Sequence, residues 1–373
     1  MTSTANYATM STTTYEYDYL VGILLIIAST IGILNNIISF SYFRSRSYKN
    51  RNGLYFRRLY MVITLTDTAI CVFVIPVINA AFSSARDGAL FRNGAFCQLW
   101  SSLWSTLPQL SIYLVGVLSV SRLVVLVNPT RQLNPDLALI LPAVCVFALV
   151  STCVGLLISH GMYGVYIEQW LGCTFTALKP GDNPNRTLTQ DDLDKTLLFT
   201  IIFNIIPGSS IIPITISFCL SLYYLKKSGK NSTNISTSYK KQLEAAKTVI
   251  LVTLLYIIFN IPYSGALVYR LLVGEWTLSR PQTVSEYLYG RTLNPTDSKF
   301  INNYFMPLVC VVSVCFNSMV NPVVYFCRIK NFRNYVKNRI FRPAVLRVER
   351  SFSKERSGSR ELPSRELASR DLV

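Results

Sequence analysis

From Cys97 to Pro129 the chain carries one formal charge, Arg122, among leucines, valines, aromatics and small polar residues. A helix rises about 1.5 Å per residue, so a segment of this length outlasts a ~30 Å hydrocarbon layer and sets Cys97 at one face and Arg122 near the other. An ion at the end of an apolar helix must snorkel to water or find a partner, which marks Arg122 for function. The same spacing logic draws seven spans, roughly 19–43, 59–82, 97–127, 137–160, 197–225, 245–272 and 303–327. A chain so divided has few options: in lipid every backbone group must be satisfied within its own helix.

Composition agrees. Of 373 residues, 51% are hydrophobic and 15% charged, with mean hydropathy +0.35, which excludes an ordinary soluble domain. The formal charge of +17 does not point to nucleic acid, because its lysines and arginines sit between the spans and after the last one. Arg44, Arg46, Lys49, Arg51, Arg57 and Arg58 crowd the first connection, Lys226, Lys227, Lys230, Lys240 and Lys241 the fifth, and Arg328, Lys330, Arg333, Lys337 and Arg339 follow the seventh span. The positive-inside bias puts the N-terminus outside the plasma membrane and the C-terminus in the cytoplasm. Met1 to Tyr19 lacks the basic region of a cleaved signal peptide, so the first helix is expected to serve as an uncleaved anchor.

Of nine cysteines, Cys97 and Cys173 fall at outward positions and are the natural disulfide pair. Of three Asn-x-Ser/Thr sequons, at Asn185, Asn231 and Asn234, only Asn185 lies outside and is expected to carry glycan. The chain ends in a near-repeat of five, Ser359-Arg360-Glu361-Leu362-Pro363 and its two successors, a period matching neither helix nor strand. The expected organisation is an outer N-terminus (1–18), a seven-helix domain (19–327), an amphipathic helix (328–341) and a disordered cytoplasmic tail (342–373).

The sequence Asn317-Ser318-Met319-Val320-Asn321-Pro322-Val323-Val324-Tyr325 resembles the end of helix seven in rhodopsin-like (class A) G-protein-coupled receptors. Asn36 resembles that family's helix-one asparagine and Asp67 its helix-two aspartate. Cys97 stands twenty-five residues before Arg122 and Pro129 seven after it, as in the family's third helix. Pro262 resembles the helix-six proline, and Phe332-Arg333 the start of the short amphipathic eighth helix. The resemblance spans residues 19 to 341 and implies an all-α membrane protein, a seven-transmembrane helix bundle that is a receptor and not an enzyme.

It also implies roles. Asp67, Ser111, Asn317 and Asn321 would form a sodium site favouring the resting state, the only cofactor or metal expected. A lone carboxylate at mid-membrane depth needs a proton, a cation or polar neighbours in any case, and a plain hydrogen-bond cluster is the competing reading. Pro262 and Pro322 would act as hinges, since proline removes a helix bond. Arg122 and Tyr325 would be the switch facing the G protein. The chain departs from the pattern at Ser121, where a carboxylate usually precedes the arginine, and at Leu123, where a tyrosine usually follows. Gln242 and Glu244 at the base of helix six offer a cross-helix partner. Without the adjacent carboxylate, Arg122 is expected to be weakly restrained and basal signalling appreciable.

Trp104 stands where amine receptors carry an aspartate, and the seventh span has no lysine for a retinal Schiff base. Asn260 replaces the helix-six tryptophan, leaving Phe259 as alternative bulk; Trp104, Phe259 and Asn260 are the candidate ligand pocket. Aromatic outer loops and the cluster Asp191, Asp192 and Asp194 suit a peptide, and the pattern is similar to invertebrate neuropeptide (FMRFamide-type) receptors. The expected partners are thus an extracellular peptide or small-molecule ligand, a heterotrimeric G protein, arrestin, receptor kinases and membrane lipid, with no nucleic acid. An arrestin-only receptor-like protein and a secondary transporter using Asp67 are the alternatives; no inverted repeat or matched pair of broken segments supports the transporter.

Overall fold

The computed structural model describes residues 4–46, 50–82, 90–91, 93–167, 172–176, 186–202, 211–230, 244, 246–260 and 306–340. Asn185, Pro262, Gln242, the sequons at Asn231 and Asn234, the sixth connection and the tail lie outside these residues. The described elements are α1 (Thr4–Ser45), α2 (Arg51–Phe73), α3 (Ile75–Phe82), α4 (Gly94–Val127), α5 (Leu137–His160), β1 (Tyr163–Ile167), β2 (Gly172–Thr176), α6 (Gln190–Thr200), α7 (Ile211–Lys230), α8 (Ala246–Asn260), α9 (Met306–Arg328) and α10 (Lys330–Ile340). They fall into two compact units, Met1–Arg328 and Ile329–Val373. In the second, α10 turns Phe332 and Val336 to a buried side while Lys330, Asn334 and Lys337 stay exposed.

Five helices are long and apolar enough to cross a membrane among the described residues: Tyr19–Ser45, Arg51–Phe82, Gly94–Val127, Leu137–Gly155 and Val311–Arg328. The fifth and sixth expected spans each run into residues outside the described set. Large apolar side chains cover the outside of the bundle, with Phe147 74% and Ile158 80% exposed on α5. Water would drive such a surface to aggregate, whereas hydrocarbon is its proper solvent.

Hydropathy marks where a helix enters lipid, not where it ends. The first helix, expected from residue 19, begins at Thr4, because no proline or glycine interrupts residues 4–18. The second, expected from 59, begins at Arg51, where the Asn50 side chain accepts from the Gly53 amide at 2.8 Å. The extra turns carry charge usefully: Arg57 donates through Nε and Nη2 to the Phe43 and Arg44 carbonyls at 2.8 Å, satisfying the end of α1. The fifth begins at Gln190 rather than 197, behind a capping box between Thr189 and Asp192.

Pro76 accounts for the break between α2 and α3, since it cannot donate to the turn before it. At the last residue of α2 the Phe73 carbonyl accepts from the Trp100 indole at 3.0 Å, tying α4 to the edge of the interruption. The helix α4 touches α2, α5, α7 and both strands, so the segment with one charge is the hub of the described bundle. At its outer end a core of Leu25, Val74, Val77, Phe91, Trp100 and Cys173 joins four elements; deeper, Ile112 and Val115 pack on Ile214 and Tyr256.

The antiparallel hairpin β1–β2 pairs Tyr166 with Cys173 and follows Gly161, whose φ of 59° ends α5 in the left-handed region. It lies directly on α4, where the Gly164 amide donates to the Gln98 side chain at 2.5 Å. A methyl at residue 164 would sit 2.8 Å from the Gln98 Cα and 2.9 Å from its amide nitrogen, backbone atoms that cannot swing aside. Gly164→Ala is therefore expected to destabilise the outer cap by roughly 1–3 kcal/mol, read as a lower melting temperature of the solubilised protein.

Candidate functional site

Asp67 lies on the face of α2 turned toward α4 and α9 and is fully buried. Its two carboxylate oxygens are shared out: Ser111 of α4 donates to one at 3.2 Å and Asn321 of α9 to the other at 2.8 Å. Asn317 is 6% exposed and Ser318 fully buried on the same helix. Asn36 of α1 completes the belt, donating to the Gly32 and Ser318 carbonyls at 2.9 Å each. No lysine or arginine pairs with Asp67 among the described residues, and its donors Ser111 and Asn321 are neutral. A buried carboxylate with a hydroxyl and a carboxamide side chain against it has donor chemistry suited to a small hard cation. No cluster of three or more His, Cys, Asp or Glu suited to a transition metal occurs among the described residues.

Eleven residues further along α4, toward the basic end of the bundle, stands Arg122. Its guanidinium carbon lies 3.4 Å from the centre of the Phe56 ring, a face-on stack. Its Nε has no hydrogen-bond partner among the described residues. Ser121, in place of the usual carboxylate, shares a hydrogen bond of 2.8 Å with the Tyr55 hydroxyl. Glu244 does not serve as the cross-helix partner, because it pairs with Lys247 at 2.8 Å and Arg328 at 3.4 Å. The Lys247 hydrogen bond, with the charges of Lys247 and Arg328, holds this exposed carboxyl below its usual range against a small opposing effect of burial. Tyr325 is fully buried edge-on to Tyr60 and Phe43, with ring centres 5.2 and 5.7 Å away. Pro322 is accommodated inside α9.

At the outer end Cys97 and Cys173 form a disulfide with Cα atoms 5.6 Å apart. Trp104 stacks on Trp100 at 5.3 Å and 8°, and Trp100 is 2% exposed, so it belongs to the core rather than to an interfacial belt. Phe259 of α8 stacks on Phe316 of α9 at 6.3 Å, while Asn260 is buried and donates to its own helix at the Tyr256 carbonyl. The acidic cluster is largely spent on structure. Asp191 pairs with Lys195 and Asp194 accepts from Gln190. Partial burial raises the Asp192 carboxyl, but the bonds from Thr189 and the Arg186 guanidinium outweigh it and hold the group below the ordinary carboxylate range.

The family model for the seven-transmembrane receptors of the rhodopsin family matches residues 34–325. The chain belongs to the rhodopsin family of seven-transmembrane receptors. Among solved structures it is similar to squid rhodopsin, with a TM-score of 0.56 and 13% identity over 94% of each chain. At that identity the likeness carries the fold alone. No curated protein matches the chain significantly. This receptor is thus a multi-pass membrane protein of a signalling, non-enzymatic class.

Several of the receptor's connections were not singled out in the sequence. Ser119 and Thr253 join α4 to α8 through a buried 2.7 Å hydrogen bond. Asn52 binds the loop after α4, donating to the Arg131 carbonyl at 2.9 Å and accepting from the Leu133 amide at 2.7 Å. Tyr55 and Phe56 could have been found by register. Phe56 precedes Asp67 by eleven residues, about three helical turns, so the two share a face of α2.

Proposed function

We propose that this receptor stands in the plasma membrane with its N-terminus outside, binds an extracellular peptide, and passes the signal to a heterotrimeric G protein through Arg122. The observation that carries the reading is the placement of Arg122. It is the one charge of α4, stands at the end of the helix remote from the Cys97–Cys173 disulfide, and among the described residues meets an aromatic face and no ion-pair partner. A stack of this kind can be exchanged for backbone carbonyls once a cavity opens beside it, because the planar guanidinium keeps all its donors.

Asp67, Ser111, Asn317 and Asn321 would hold sodium, which when bound supplies the positive charge that the buried carboxylate lacks. Asn321 precedes Pro322, so a change in the Asp67–Asn321 bond reaches the helix segment bearing Tyr325 directly. Phe259 against Phe316 is the bulk through which the outer half of α8 would press on α9, in the absence of a tryptophan at residue 260. Trp104, Phe259 and Asn260 remain the proposed ligand contacts, with glycan at Asn185, and arrestin and receptor kinases are proposed partners of the cytoplasmic face.

The peptide class rests on the tryptophan at 104 in place of an anion and on the absence of lysine from α9. It draws no support from Asp191, Asp192 and Asp194, which already have partners. A library of amidated and free peptides, applied to cells expressing the receptor with a promiscuous G-protein readout, tests the class. Activation by peptides is the expected result; a response confined to non-peptide compounds would refute it.

A further inference from the structure

We propose that the first turns of α2 supply the restraint on Arg122 that a carboxylate at residue 121 would otherwise give, with Phe56 and Tyr55 as positioning residues. Two consecutive residues of α2 grip two consecutive residues of α4. Tyr55 bonds Ser121 through its hydroxyl, and Phe56 lies face-on beneath Arg122. Both aromatics are buried, at 5% and 4% exposure, and they meet each other edge-on at 5.2 Å. The Arg122 head is therefore shielded from water on the side where it is held.

The grip is registered by the contact deeper in the bundle. Asp67 meets Ser111, and eleven residues away on each antiparallel helix Phe56 meets Arg122. Equal steps along two straight helices bring the second pair together once the first is fixed. The end of α2 that carries the aromatics is anchored from outside as well. The Asn50 cap starts the helix, Asn52 bridges to Arg131 and Leu133 in the loop after α4, and Arg58 pairs with Asp136 at the start of α5. Phe56 cannot follow Arg122 if the arginine leaves, so the stack acts as a latch.

A cation on a desolvated ring is attracted by its quadrupole, and the loss of that attraction releases the arginine selectively. Leucine at residue 56 keeps the apolar bulk and removes the ring, whereas tyrosine keeps both. The proposal rests on Arg122 being the group that engages the G protein, so two readouts are needed. In the first, full-length receptor in membranes is assayed for ligand-free nucleotide exchange on heterotrimeric G proteins, normalised to surface receptor. Phe56→Leu is expected to raise exchange roughly 5- to 30-fold, and Phe56→Tyr to stay at the wild-type level.

In the second, the Nε–H proton resonance of Arg122, assigned by its loss in Arg122→Lys, is followed without any G protein. Ring-current displacement is expected in the wild type and Phe56→Tyr and lost in Phe56→Leu. An undisplaced wild-type resonance would overturn the proposal, as would Phe56→Leu exchange no higher than wild type in a receptor shown to couple. A rise in Phe56→Tyr equal to that in Phe56→Leu would also overturn it. Displacement as expected, with no exchange from any variant or with any peptide, would uphold the stack and count against the G-protein reading alone.

Discussion

Cys173→Ser is expected to remove most folded receptor from the cell surface, at a cost of roughly 2–5 kcal/mol. The bond closes a loop of 76 residues between the top of α4 and β2, and the entropy of closing so long a loop returns to the unfolded chain when it is broken. The consequences spread beyond the two sulfurs. The strand β2 places Phe175 against Phe199 of α6 with ring centres 4.9 Å apart, and its partner β1 lies on α4 through Gly164 and Gln98. Losing the bond frees the hairpin from α4 and with it the packing of α6. Surface labelling and the melting temperature of solubilised protein give the measure. Cys219→Ser, at an exposed free thiol on α7, should leave both unchanged. Equal surface levels and melting temperatures for Cys173→Ser and the wild type would show that the hairpin holds without the bond.

Asp67→Asn is expected to make agonist binding indifferent to sodium. If Asp67 holds sodium as proposed, sodium and agonist favour opposite states, so each weakens the other by the same factor, roughly 5- to 150-fold for couplings of ordinary size. Asparagine has nearly the volume of aspartate, and its carbonyl can still accept from Asn321, so the bundle keeps its packing while the anion disappears. Competition binding with the activating peptide, in sodium and in potassium at equal ionic strength, reads the effect. The wild type should lose affinity in sodium alone, and the variant in neither salt. Equal affinity in both salts for the wild type would leave Asp67 as a hydrogen-bond centre without a cation.

Much of this arrangement was legible in the sequence because lipid imposes simple rules. The apolar runs located the helices, and basic loops suggested their direction; α5 begins and ends at the expected residues, Leu137 and His160. Asp67, Ser111 and Asn321 meet as the family resemblance implied, since a buried carboxylate leaves few alternatives for its neighbours. Helix starts were less legible. Arg51, Arg57 and Arg58 read as loop by hydropathy, yet they belong to α2 because guanidinium groups reach water or carbonyls from a helical backbone.

The acidic triplet before the fifth span read as a ligand surface. In the structure Asp192 engages Thr189 and Arg186, Asp191 pairs with Lys195 and Asp194 accepts from Gln190, local geometry that composition does not reveal. The same holds for Arg122. A missing carboxylate at Ser121 suggested a weakly restrained arginine; its contact with the Phe56 ring of the neighbouring helix was not foreseen, because aromatics in an apolar run carry no charge to draw attention.

The central claim is that Arg122 conveys the state of the bundle to a G protein, and purified receptor in lipid nanodiscs gives the most direct test. GTP uptake is measured on each class of heterotrimer, with the activating peptides and without them, for wild type and Arg122→Ala. The account predicts peptide-stimulated uptake by at least one heterotrimer, falling more than about tenfold in the variant, which loses the bonds that its planar donors make. Uptake unchanged by Arg122→Ala, or none from a folded wild type under any peptide, would contradict it.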